Sequence, residues 1–294
     1  MQGQYKIFVD GELLYIKNII TAEGRLAAIN AIAGKRTGFA ESIVVGIGST
    51  AATADDKTLE FLVAGSSIST IITDPVNERI YFKSVLPAGD QYKIYELGCY
   101  SSGINAALQT GVSTGVLLNN FNGATTWTDV SGTHTLSAVN SRLDSDSIEY
   151  AITASGTVKG YATSAIDLSS LPDSTEFSLA YYVNNLADLI IRFKTDDTNY
   201  YSYNGLVVSN GYKIDKFLKS DFSATGSPNW ASIVAIEIEA TATGSPGTIS
   251  LDGLRYDIVQ AAGSGLVSRA VLSSPMEKLS GITMDIEYVL ELDI

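Results

Sequence analysis

The chain holds one cysteine, one histidine and six prolines in 294 residues. A single thiol, Cys99, excludes a disulfide framework and a thiolate metal cluster. It lies in the apolar run KIYELGCY, where a buried and inert thiol is expected. A single imidazole, His134, excludes a histidine-rich metal centre, and no G-x-S-x-G nucleophile turn accompanies it. Basic residues are scarce too: 19 Lys and Arg against 32 Asp and Glu give a net charge of −13. The cations form no cluster. Nucleic-acid binding as the main task is thereby excluded, because its affinity comes from cations that neutralise phosphates. No apolar run reaches the roughly 18 residues that span a bilayer, and MQGQYKIFVDGE does not have the form of a signal peptide. Neither membrane insertion nor export is expected.

What is present describes a folded chain rich in strands. Apolar residues make up 45% and charged residues 17%, which sets the chain apart from disordered sequences. Twenty-six glycines and 16 tyrosines, with many Ser and Thr, suit short strands and tight turns. Residues 116–257 carry 16 of the 32 acidic and 8 of the 19 basic side chains, so the acidity is spread over the chain. Spread acidity reads as a solvated surface.

From the N-terminus, Tyr5–Ile20 alternates around Asp10-Gly11, a dipeptide favoured in two-residue hairpins. TAEGRLAAINAIAGK predicts a short helix capped by Thr21, with Glu23 in its first turn, Leu26, Ile29 and Ala33 on one face, and Gly34 ending it. Ser42–Thr50 predicts a buried strand running into a glycine turn. The following ATADDKTLEFLVAG predicts a helix start, where a carboxylate pair would meet the positive end of the dipole. Gly46 and Gly48 lack the third glycine of a dinucleotide fingerprint, which rules against nucleotide binding. Strands are expected at Ser66–Ile72, Arg79–Leu86 and Lys93–Tyr100, with turns at Asp74-Pro75-Val76-Asn77 and Pro87-Ala88-Gly89-Asp90. SSGINAALQTGVSTG, 101–115, reads as a connecting segment.

The middle of the chain, 116–257, holds short apolar or alternating runs at Phe177–Val183, Leu189–Lys194, Tyr200–Val208, Ile233–Ile238 and Ile249–Leu254. Each is bounded by turn residues, the pattern of a β-sandwich. After it come Leu266–Leu272 and Ile282–Ile294. In the last stretch Ile282, Met284, Ile286, Tyr288, Leu290 and Leu292 face one way and polar residues the other, with only Val289 breaking the polar side. Two or three strands cannot stand alone, so they must complete a sheet begun earlier. The expected fold is mainly β: a small discontinuous α+β host domain, 1–112 with 259–294, interrupted by a β-sandwich jelly roll at 116–257.

Three runs of the host resemble a structural domain of tailed-phage tail, collar and fibre-attachment proteins. The first carries Gly46, Gly48, Asp56, Leu59 and Glu60. The second carries Pro87, Ala88, Gly89, Ile94, Glu96, Leu97 and Gly98. The third carries Pro275, Lys278, Gly281, Thr283, Ile286 and Tyr288. The insert, from its NF…W start to the closing ISLDGLRYD, is similar to carbohydrate-binding-module jelly rolls of the galactose-binding-like kind. These resemblances imply a non-enzymatic virion protein of the tail, neck or baseplate. Its partners would be other virion proteins and copies of itself in cyclic symmetry, with host surface polysaccharide as the ligand of the insert. A free carbohydrate-binding protein is the first alternative and a glycan-degrading enzyme the second.

Sugars require flat aromatic faces and a few directed hydrogen-bonding groups. Tyr200, Tyr201, Tyr203 and Tyr212 gather around Asp196 and Asn199 and are the candidate glycan-binding residues. Packing of alternating tyrosines into the sandwich is the other reading, and Trp127 and Trp230 are expected in the core. Sandwiches of this resemblance also imply a structural calcium near the chain ends, for which Asp252 and Asp257 are the candidates, against plain solvated carboxylates. Glu237 and Glu239 alternate outward and read as a solvent face. No carboxylate pair suited to glycoside hydrolysis stands out.

Overall fold

The computed structural model describes residues 2–9, 12–35, 38–89, 91–101, 115–257 and 265–291. The chain is mainly β and divides into two compact units, Met1–Thr114 with Gln260–Ile294, and Gly115–Val259. The first unit opens with β1 (Gln2–Val9), β2 (Glu12–Lys17) and β3 (Ile19–Ile20), then α1 (Ala22–Ile32). It continues through β4 (Ser42–Gly46), β5 (Leu62–Ser67), β6 (Thr70–Asp74), β7 (Arg79–Leu86) and β8 (Tyr92–Tyr100). The insert comprises β9 (Gly115–Asn119), β10 (Trp127–Ser131), β11 (His134–Ser137), β12 (Ser147–Ile152), β13 (Thr157–Ile166) and β14 (Glu176–Asn184). It is completed by β15 (Leu186–Lys194), β16 (Tyr200–Tyr203), β17 (Gly211–Leu218), β18 (Ser223–Thr225), β19 (Ile233–Ala242) and β20 (Gly247–Asp257). The host resumes with β21 (Leu266–Lys278) and β22 (Met284–Glu291).

In the host unit two five-stranded sheets run in the orders β2-β1-β22-β7-β6 and β3-β21-β8-β4-β5. The C-terminal strand β22 thus lies between β1 and β7, antiparallel to both. Its alternation explains why: Met284, Ile286, Tyr288 and Leu290 all point into the host core, and an alternating core face fixes register, although Glu287 and Val289 on the other face are covered too. Tyr288 sits between Tyr5 and Phe82, with ring centroids 5.2 and 5.8 Å away. Burial of each such side chain contributes roughly 1.5–3 kcal/mol. Cys99 is buried in the same core, and its thiol is pushed far up by burial.

The helix begins as expected. The Thr21 hydroxyl accepts the Gly24 N–H at 3.0 Å, and Gly34 adopts φ +67°. Its faces are reversed, however. Gly24 and Ala27 are the buried residues, whereas Leu26 and Ile29 are exposed. A Cβ on Gly24 would strike the Val267 carbonyl, so the helix lies with its backbone against β21 and only small residues fit beneath it. The second expected helix start is absent: residues 51–61 form turns. Asp56 accepts the Thr53 N–H at 2.9 Å and bonds to Arg269 instead of capping a helix. The run expected as one strand at Ser66–Ile72 is broken between β5 and β6. The Asp74 turn forms, its carboxylate accepting the Val76 and Asn77 N–H groups. Asp10-Gly11, Asp90, most of the connecting segment and Leu292 lie outside the described residues.

One buried charge cluster ties the host's two chain segments together. Glu96 on β8 is fully buried. Its carboxylate accepts the N–H groups of Gly48, Glu60 and Phe61 at 3.1, 3.0 and 2.9 Å. It also pairs with Arg269 on β21, whose Nε lies 2.9 Å away. Arg269 reaches Asp56 at 2.8 Å as well. Cβ atoms on Gly46 or Gly48 would each sit 2.5 Å from Glu96 Oε1, which explains both glycines.

The insert is a sandwich of one six-stranded sheet, β10-β13-β19-β15-β16-β18, and a second, β11-β12-β20-β14-β17, with β9 also paired to β20. Phe177, Phe193 and Phe217 lie in the core between them. Trp127 and Trp230 pack against that core.

Removing one partner of a buried ion pair leaves an uncompensated charge, which costs roughly 3–5 kcal/mol. Arg269→Ala should therefore lower the unfolding free energy of the host unit by that amount, seen by circular dichroism as a lower urea midpoint. Both tryptophans lie in the insert, so the transition seen by tryptophan fluorescence should stay where it is. A host transition that does not move would contradict the role given to Arg269.

Candidate functional site

Phe177, Leu179, Tyr181 and Val183 of β14 are buried in the core, so the partly exposed Tyr182 faces the outside of the second sheet of the insert. Cross-strand register then sets a row perpendicular to the strands. Glu149 lies opposite Ser250, Ser250 opposite Tyr182, and Tyr182 opposite Tyr212. Thr135 on β11 extends the row beyond Glu149. With strands about 4.8 Å apart, Glu149 to Tyr212 spans about 14 Å, the length of a short oligosaccharide. The polar members hold one another. Glu149 Oε2 accepts from the Ser250 hydroxyl at 2.6 Å and from the Asn140 amide at 3.1 Å.

A β-bulge supports one end of this row. Ala180 pairs with Gly253 and Tyr181 with Leu251, so Asp252 is the extra residue of β20. Its fully buried carboxylate accepts the N–H groups of Arg142 and Leu143, at 2.9 and 3.2 Å, and the hydroxyls of Ser141 and Tyr212. Burial raises this carboxyl above its ordinary range, and the four donors only partly offset that. The Arg142 guanidinium stacks 3.7 Å from the centroid of the Tyr212 ring. Aromatic ring, stacked cation, amide and carboxylate thus lie on one surface.

The tyrosine cluster expected from the sequence is not one surface. Tyr201 stacks on Trp230 with centroids 3.9 Å apart, and Tyr203 on Phe217 at 4.6 Å, so both point inward. Tyr200, the residue before Tyr201, faces the outside of the first sheet beside Arg192. Asp196 and Asn199 close the β15–β16 turn. The Asn199 side chain, with N–H groups of Thr198 and Asn199, holds the Asp196 carboxyl down at about 2. Of the six candidates only Tyr212 belongs to the row. Sequence reasoning missed Tyr182, Glu149, Ser250, Asn140 and Arg142. Tyr182 could have been found from the alternation of EFSLAYYV, but its cross-strand neighbours could not.

The calcium candidates do not converge either. Asp257 pairs with Arg255 at 2.6 Å, and Asp252 is engaged by hydrogen-bond donors. Five residues of strand separate them, about 16 Å. Calcium takes six to eight oxygens around one point. Among the described residues no group of three or more His, Cys, Asp or Glu is arranged to hold a metal ion.

Two other polar clusters are closed upon themselves. Glu237, expected at a solvent face, is 1% exposed beneath Lys159, Arg192 and Lys194 at 2.9–3.2 Å. The Asp129 carboxylate accepts the Tyr150 hydroxyl and meets His134 Nδ1 at 3.0 Å, while Trp127 Nε1 donates to Tyr150 at 2.7 Å. That chain joins β10 of the first sheet to β11 and β12 of the second.

No protein-family model and no curated protein matches the chain. Among solved structures it is similar to a family 11 carbohydrate-binding module of a cellulosomal cellulase of Clostridium thermocellum. Identity is 15%, coverage 49% of this chain and 95% of the module, and the TM-score 0.38. A second similar structure is a family 28 module specific for non-crystalline cellulose, at 13% identity, 48% and 93% coverage and a TM-score of 0.33. A third is the enzymatically active domain of tailspike protein 4 of bacteriophage CBA120. There identity is 19%, the TM-score 0.30, and coverage 48% of this chain and 21% of that one. Likeness at this level leaves ligand and partners unassigned.

The raised carboxyl of Asp252 has a signed consequence. Its folded form binds the proton more tightly than the unfolded chain does. The stability it contributes is full below the unfolded value of about 3.9 and is lost as pH rises through the folded value. Asp252→Asn cannot titrate. The gap in urea midpoint between wild type and D252N, followed by tryptophan fluorescence, should therefore narrow as pH rises from acid toward neutral. A gap that widens would mean that the donors, not burial, set the carboxyl.

Proposed function

We propose that the protein is a non-enzymatic glycan-adhesion subunit of a larger assembly, with the sandwich holding sugar and the host unit docking it. The observation that carries the glycan reading is the row Glu149–Ser250–Tyr182–Tyr212. Tyrosine rings offer apolar faces to the C–H side of a sugar, and the adjoining Glu149 carboxylate and Asn140 amide match its hydroxyl groups, with Ser250 buried beneath them as their support. The groups are held in place before ligand arrives, which lowers the ordering cost of binding. An open sheet face grips weakly, and many copies in one assembly would compensate by avidity.

For the assembly we propose a tailed-phage virion, on the strength of the resemblance of the host runs. The residues that carry it play structural parts: Gly46, Gly48, Asp56, Glu60 and Glu96 surround one charge cluster. A free carbohydrate-binding protein remains the alternative. The enzyme reading is disfavoured by the carboxylates in and under the row. A glycosidase needs two that face the substrate, and here Glu149 faces outward whereas Asp252 is sealed beneath.

Glycan-array binding by the full-length protein tests the reading. Surface or plant-type polysaccharides should be retained, and Tyr182→Ala should weaken retention about tenfold or more, a change of about 1.4 kcal/mol. Binding that survives Y182A unchanged would remove the row as the site. Release of reducing sugar from a retained polysaccharide would establish the enzyme alternative.

A further inference from the structure

Two exposed apolar surfaces of the host unit belong to different layers of it. The first is the outward face of the sheet β2-β1-β22-β7-β6. Register aligns Leu13 with Phe8, Tyr15 with Lys6, and Ile72 with Tyr81 across neighbouring strands. Phe8 is 53% exposed and Tyr15 60%, and Leu13, Ile72 and Val85 are also open to solvent. Its central charges are neutralised: Glu287 is nearly buried between Lys6 and Lys83, at 3.4 and 3.2 Å. A groove of about 210 Å³ opens on this face, with Phe8, Thr70, Val85 and Asp285 among its walls. The second surface is the stripe Leu26–Ile29–Ile32 on α1, where Ile32 is 87% exposed. A helix that seats Gly24 and Ala27 inward has no packing use for three large aliphatic side chains on its other side.

We infer that host units of successive copies dock head to tail, the Leu26–Ile29–Ile32 stripe of one copy seated on the Phe8–Val85 sheet face of the next. The groove has room for an isoleucine side chain, and the stripe supplies two, Ile29 and Ile32. Area favours a second copy as occupant. Taking roughly 150–200 Å² for a whole large apolar side chain, stripe and sheet face together offer on the order of 800 Å² of apolar surface. A stable interface of about 1,200–2,000 Å², a little over half of it apolar, needs roughly 700–1,150 Å². Stripe against sheet face falls within that range, so the chain itself carries both halves of such a contact. Because they are different surfaces, the contact is heterologous and generates a ring where the rotation closes. The inference rests on the host unit's proposed docking role and is independent of sugar binding.

Size-exclusion chromatography with light scattering on the full-length protein tests it. Wild type should run as an assembly that dissociates on dilution, and Ile32→Glu and Phe8→Glu should each run at the mass of one copy. An equimolar mixture of the two variants should form a dimer and nothing larger, since each retains the surface the other has lost. A wild type of single-copy mass, either variant assembling like wild type, or a mixture that stays monomeric would each overturn head-to-tail docking. Glycan retention by the same samples separates the two proposals. A monomer that still binds polysaccharide overturns only this one.

Discussion

The pairing of Glu96 with Arg269 is the interaction on which the host unit depends. The two residues stand 173 positions apart, on neighbouring strands β8 and β21. A carboxylate in that position cannot be left alone, because an unpaired buried charge costs several kcal/mol. Three backbone N–H groups from the 48–61 segment and the Arg269 guanidinium satisfy it. The N-terminal part of the host is therefore electrostatically incomplete until the last strands return. This makes the unit discontinuous for a physical reason, beyond the hydrophobic stripe of β22.

The same constraint explains how a long insert can be tolerated. The insert's first and last strands, β9 and β20, are hydrogen-bonded neighbours, with Val116 opposite Tyr256. Entry and exit thus lie side by side, and a separate core of Phe177, Phe193 and Phe217 supports the sandwich. Loop-closure entropy grows only slowly with loop length. A folded insert with adjoining ends costs its host less than an unstructured segment of equal length would.

Local periodicity was legible in the sequence, and long-range register was not. The stripe of Met284, Ile286, Tyr288 and Leu290 and the run Phe177–Val183 could be read directly, since period-two burial is a property of one strand. The Asp74 turn was equally readable, because its bonds are made within four residues. The buried face of α1 was misread: amphipathic reasoning assigns large apolar residues inward, but the close approach of Val267 admits only Gly24 and Ala27. The 51–61 segment was misread for a related reason, since Asp56 answers to Arg269 rather than to its own chain neighbours. The tyrosines failed as a group because alternation sends Tyr200 outward and Tyr201 and Tyr203 inward, whereas Tyr212 belongs to another sheet.

Asp252 shows how a residue can matter to a site that it never reaches. An acidic residue near a strand end invites a metal reading from sequence, yet the bulge turns this one beneath the surface. There it fixes the backbone of Arg142 and Leu143 and the hydroxyl of Tyr212. The loop before β12 and the edge strand β17 approach it from separate parts of the chain, and one carboxylate orients both. Arg142 is thereby held over the Tyr212 ring, and the end of the row becomes a fixed wall instead of a mobile loop. A site on an open sheet face gains little from enclosure, so its affinity must come from groups already in place. Sealing a carboxylate under the row, at the cost of its burial, is a means to that end.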